Sequence, residues 1–134
     1  MIAQCQCGAL NATIAPGAEG ALVMCHCVDC QRRSGSQFGS IAYYPAQAVT
    51  LSGEAREFTR PTDNGYSFTN GFCPVCGSSV YARANRTPDR IGVMAGAFAN
   101  PALGQPLRSV YEQSRHHWID LPVEMAHFQR GREG

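Results

Sequence analysis

The chain has 134 residues, a length that fits one domain spanning 1–134 with its own core. Apolar residues make up 44% and charged residues 16%, with a formal charge of +1, so the expectation is a soluble, lightly charged globular protein. Counting all seven cysteines as thiolates on two divalent ions moves the charge only to about −2, which leaves no electrostatic footprint for nucleic acid or an anionic membrane. The first residues lack the basic flank and apolar stretch of a secretory signal, and the weakly polar run 91–99 is too short to span a bilayer. The expected location is therefore cytoplasmic.

No helical stripe of useful length appears. Short runs rich in β-branched and aromatic residues recur instead between Gly, Pro, Asn and Ser, which makes the fold class mainly β with little helix. In chain order the predicted strands are Ala9 to Ala15, Leu22 to Cys25, Ser40 to Tyr44, Val49 to Ser52, Glu57 to Thr59, Tyr66 to Gly71, Ser79 to Ala82, Arg90 to Ala95 and Leu107 to Tyr111. Turn signals at Ala15-Pro16-Gly17, Ser52-Gly53-Glu54, Asp63-Asn64-Gly65 and Asn100-Pro101 separate them. One short helix is predicted from Val28 to Arg33, stopped by Ser34-Gly35, and a frayed tail from Gln129 to Gly134. No residue pattern demands an oligomer.

The cysteines fall in three clusters: Cys5-x-Cys7-Gly8, Cys25-His26-Cys27-x-x-Cys30, and Cys73-Pro74-Val75-Cys76-Gly77. An odd number of cysteines in a reducing compartment favours metal ligation over disulfides. The third cluster is a tight turn whose two sulfurs converge on one ion. Cys5 and Cys7 do the same if they open a strand, because residues two apart project to one face. Together Cys5, Cys7, Cys73 and Cys76 make a closed tetrahedral set, suited to structural zinc, with iron as the alternative all-thiolate occupant.

Cys25, Cys27 and Cys30 are then left as three sulfurs within six residues. Three protein ligands on one ion suit a catalytic zinc, whose fourth position admits water or substrate. Two other readings stay open: closure of the site by His26, Asp29, His116 or His117, and free, redox-active thiols. His26, between two ligands on an extended segment, is expected to point away from them. His116 and His117 are candidates for general acid or base, with a surface pair as the alternative. Phe38, Tyr43, Tyr44, Phe68, Phe72 and Trp118 are expected in the core.

These clusters, in this order and with Gln31-Arg32 after Cys30, Phe72 before Cys73, Ala95-Gly96-Ala97-Phe98 and Trp118, resemble the glutathione-dependent formaldehyde-activating enzyme family, which also includes centromere-protein-V-like proteins. The resemblance implies a β-tent of antiparallel sheets around the structural zinc. It also implies a structural zinc on Cys5, Cys7, Cys73 and Cys76 and a catalytic one on Cys25, Cys27 and Cys30. The implied activity is condensation of formaldehyde with glutathione, formally a carbon–sulfur lyase in reverse, and the implied partner is a small thiol such as glutathione. A zinc-stabilised binding module and a thiol-based reductase are the competing functions.

For such a site, Arg32 and Arg33 are candidates to clamp a glutathione carboxylate through bidentate hydrogen bonds, with a solvated basic turn as the alternative. The loop Ser34-Gly35-Ser36 is a candidate to bring backbone amides to a small ligand.

Overall fold

The computed structural model describes residues 1–132. Its elements are β1 (Ile2–Gln4), β2 (Asn11–Ile14), β3 (Ala21–Cys25), α1 (Val28–Ser34), β4 (Gly39–Pro45), β5 (Val49–Ser52), β6 (Arg56–Pro61), β7 (Ser67–Phe72), β8 (Ser79–Ala84), β9 (Arg90–Met94), β10 (Arg108–Val110) and β11 (Ala126–His127). Every predicted strand is present, with ends moved by no more than two residues, and the one predicted helix is where its stop signal puts it, with three short 3-10 turns besides it at Ala46–Ala48, Ala95–Phe98 and Glu112–Ser114. β1 and β11 are additional; at three and two residues they are too short to leave a periodic trace.

Two sheets form. β1, β2 and β5 make a small antiparallel sheet, and the other strands make a large one in the order β11-β10-β3-β4-β9-β8-β7-β6. The expectation of antiparallel sheets fails at one place: β10 runs parallel to both β3 and β11. The chain reaches β10 through a long irregular segment after β9 rather than a tight turn, so no hairpin fixes its direction.

β4 shows how the large sheet divides its two faces. Ala42 and Tyr44 face the small sheet in a core with Leu10, Ala12, Ile14, Val80 and Val93. Fully burying Leu10, Val80 and Val93 stabilises the fold by roughly 1.5–3 kcal/mol each. Ile41 and Tyr43 point the other way, where Ile41 joins Phe68, Ala82 and Met94 in a second cluster.

Two sequence expectations are corrected. Trp118 is 65% exposed, because the irregular segment carrying it turns Ile119 inward instead. Nor is the tail from Gln129 wholly frayed: Tyr111 N–H donates to the carbonyl of Arg130 at 2.9 Å and Gln113 N–H to that of Gln129 at 3.2 Å. Glu133 and Gly134, the end of that expected tail, lie outside the described residues.

Candidate metal centres and the adjoining cavity

The sulfurs of Cys5, Cys7, Cys73 and Cys76 all lie within 4.8 Å of one another. Cys7 Sγ is 3.6 Å from both Cys5 Sγ and Cys73 Sγ. Tetrahedral zinc with ~2.3 Å bonds sets its sulfurs ~3.8 Å apart, so the set fits such an ion closely. Backbone amides support the sulfurs: Leu10 N–H donates to Cys5 Sγ at 3.3 Å and Val75 N–H to Cys73 Sγ at 3.4 Å.

Both halves of this site are turns. Cys5 and Cys7 do not open a strand as the sequence suggested; they follow β1 in a turn closed by Gly8 N–H on the Cys5 carbonyl at 3.1 Å. Gly77 N–H closes the other turn on the Cys73 carbonyl at 2.9 Å. Gly8 has φ 83° and Gly77 φ 78°, backbone that a side chain would strain. One turn joins β1 to β2 and the other joins β7 to β8, so the cluster ties the small sheet to the large one.

Cys25, Cys27 and Cys30 form the second group, again with sulfurs within 4.8 Å of one another. Cys25 ends β3 and Cys30 sits in the first turn of α1. Cys27 caps that helix: its Sγ accepts from Cys30 N–H at 3.3 Å, doing the work of a capping oxygen. The Cys25 and Cys27 thiols, hydrogen-bonded to Cys30, lower the Cys30 pKa, with Arg33 and Arg60 adding positive charge. The same contacts push Cys25 up. Three converging sulfurs, one favoured as thiolate and one held by an amide, fit a soft divalent ion.

No histidine, carboxylate or further cysteine joins this group among the described residues. Asp29 instead pairs with Arg60 at 3.4 Å. His26 is fully buried, pointing away as expected, with Nε2 3.0 Å from Ser109 Oγ and Nδ1 without a partner. His116 Nε2 lies 2.9 Å from Gln31 Oε1, and His117 is exposed. Gln31 also donates from Nε2 to the His26 carbonyl at 2.9 Å, holding the backbone between two of the cysteines. Sequence reasoning gave Gln31 no role; its position one residue after Cys30 was the available signal.

The three cysteines line a cavity of about 620 Å³ on the Ile41 face of the large sheet, together with Tyr43, Phe68, Val110 and Tyr111. Burial raises the pKa of Tyr43, and the Cys30 and Cys25 charges raise it further, so its hydroxyl keeps its proton. Arg60, Arg86, Arg90, Arg108 and Arg132 also line this cavity. No local pattern marked them, since they come from separate strands and loops.

The two arginines singled out from sequence sit elsewhere. Arg32 is exposed and outside the cavity lining. Arg33 lines a different cavity, of about 740 Å³, with Ser34, Ser36, Cys5 and Cys76. Its Nη1 is 3.2 Å from Met94 Sδ, while Nε and Nη2 are buried without partners. Gly39 makes room for it: a Cβ there would lie 2.6 Å from Arg33 Nη2.

Fold and site define a small β-sheet protein with two cysteine centres fit to hold metal. A model of the glutathione-dependent formaldehyde-activating enzyme family matches residues 1–114, and the chain belongs to that family. A crystal structure of a Rhodobacter sphaeroides protein has a similar fold, with a TM-score of 0.57 and 21% identity over 79% of this chain and 97% of that one. Comparison with curated proteins finds no match.

Proposed function

We propose that the chain is a zinc-dependent enzyme of the carbon–sulfur lyase type, acting on the adduct that glutathione forms with formaldehyde or another small electrophile. In this reading Cys5, Cys7, Cys73 and Cys76 hold a structural zinc, Cys25, Cys27 and Cys30 hold a catalytic one, and the protein works in the cytoplasm. The observation that carries it is the three-sulfur group, with no fourth protein ligand among the described residues, opening onto a 620 Å³ cavity.

A zinc ion there would supply a site for a substrate thiol or carbonyl, favouring the thiolate and polarising the carbonyl. Three thiolates donate strongly, which suits thiolate exchange better than activation of water. The chain's own residues do the rest. Cys27, as helix cap, fixes its sulfur relative to Cys30. Gln31 holds the intervening backbone at the His26 carbonyl. Tyr43, kept protonated, is a hydrogen-bond donor in the cavity wall. Arg33 and Arg60 offset the negative charge of the cysteines.

The test is exchange NMR on glutathione and formaldehyde with and without purified protein. Faster adduct formation, lost in Cys30→Ser, is the expected result. An unchanged rate with two metals bound per chain sinks the reaction assignment, and one metal per chain with the Cys30→Ser variant indistinguishable from wild type points to a binding module.

A further inference from the structure

We infer that Arg108 is a specificity-determining residue, which selects substrates whose far end, remote from the thiol, carries a negative charge. This rests on the reading of the three-cysteine site as the place where a substrate thiol binds.

The register of the sheet supplies the geometry. β10 lies beside β3 with Val110 opposite Cys25 and Arg108 opposite Val23. Two residues along a strand span about 7 Å and project to the same face. Cys25, Val23, Val110 and Arg108 all line the one cavity. Arg108 therefore stands at the distance of a short acyl or dipeptide-sized spacer from the sulfurs. A ligand with its thiol at the cysteines reaches Arg108 with its other end.

Among the described residues, five arginines and two carboxylates, Asp29 and Asp63, line the cavity. Both carboxylates are engaged: Asp29 with Arg60 at 3.4 Å, and Asp63 with Arg130 at 2.8 Å and the Tyr111 hydroxyl at 2.6 Å. Among the described residues no carboxylate pairs with Arg108. Its Nη1 is buried without a hydrogen-bond partner. Burial and the nearby Arg132 charge both act against its protonated form. A half-buried guanidinium with an unmade hydrogen bond and a like charge beside it is costly to keep. An anion placed there supplies the missing acceptor and relieves the repulsion.

Arg90 closes the same end. It pairs across β9 and β4 with Pro45, and its Nη1 lies 3.5 Å from the Tyr43 carbonyl, a weak contact that a carboxylate can displace. The cavity thus runs from a sulfur end to a guanidinium end along the face of the sheet.

The test uses three thiols of equal length that differ only at the far end: mercaptohexanoate, mercaptohexanol and aminohexanethiol. Binding to the purified, metal-assayed protein is followed by calorimetry. Mercaptohexanoate should bind about tenfold more tightly than mercaptohexanol, and aminohexanethiol more weakly than either. In Arg108→Met the first two should become equal through loss of mercaptohexanoate affinity alone, while Arg108→Lys should keep part of the preference. Equal affinities in the wild-type protein, or no thiol binding at all, overturn the inference, and that result does not depend on whether a variant folds. Charge preference without acceleration of the glutathione–formaldehyde reaction leaves Arg108 standing and removes the reaction. Acceleration that is the same for charged and uncharged thiols does the reverse.

Discussion

The backbone N–H of Gln6 donates to the hydroxyl of Ser78 at 3.1 Å, although 72 residues of chain separate them. Ser78 Oγ is also 3.4 Å from Cys76 Sγ, so one hydroxyl touches both halves of the four-cysteine site. A metal on the four sulfurs would hold the two turns together as a unit. Apparent binding energies of structural zinc, ~10–16 kcal/mol, match or exceed the ~5–15 kcal/mol net stability of a whole domain. A strong chelator, or Cys73→Ser, is therefore expected to unfold the protein, seen as loss of the cooperative thermal transition and of bound metal. Retention of the transition after complete metal removal would show that the sheets hold without it.

Cys30→Ser should behave differently. The three-cysteine group sits at the end of β3 and in α1 and joins no two sheets. The expected outcome is one metal per chain instead of two by elemental analysis, with a melting temperature far closer to wild type than that of Cys73→Ser.

Ser109 is the partner of a fully buried imidazole. Ser109→Ala leaves His26 with neither ring nitrogen bonded to the protein, and an unsatisfied buried polar group costs about 1–3 kcal/mol. Because the bond joins the residue after β3 to β10, denaturant melts should show that loss together with faster amide exchange at Val110.

Asp63 gives a pH signature. Hydrogen bonds from Tyr111 and Arg130 hold its carboxyl below the ordinary value of 3.8. A carboxyl depressed on folding contributes stability that is fully present above its unfolded pKa and lost as the pH falls through its folded one. Asp63→Asn should thus melt below wild type at neutral pH, and the two melting curves should converge under pH ~4. A constant difference down to pH ~2 would mean that the ionised carboxylate is not what matters.

Much of this was legible in the sequence because it is local. β-branched runs mark the strands, Ser34-Gly35 marks the helix end, and cysteine spacing separates the two sulfur groups. What escaped was set by contacts across the chain. Cys5 and Cys7 read as the opening of a strand, whereas they lie in a turn that Ser78, from the other half of the site, supports. The direction of β10 depends on a long irregular connection. Trp118 looked like core by composition, yet its neighbour Ile119 takes the buried place. The arginines of the cavity converge from β6, the β8–β9 connection, β9, β10 and the chain end, so no window of sequence contains the site they form.

Those arginines carry one more consequence. All 11 cationic Lys or Arg side chains of this protein are arginine, and the chain contains no lysine. A lysine amine that loses its proton condenses with aldehydes to a Schiff base, whereas a guanidinium stays protonated at neutral pH. A cavity ringed by guanidinium groups can attract an anionic substrate without offering a carbonyl any side-chain amine. On the proposed function, an aldehyde entering there would meet sulfur as its nucleophile and no lysine amine with which to form a Schiff base.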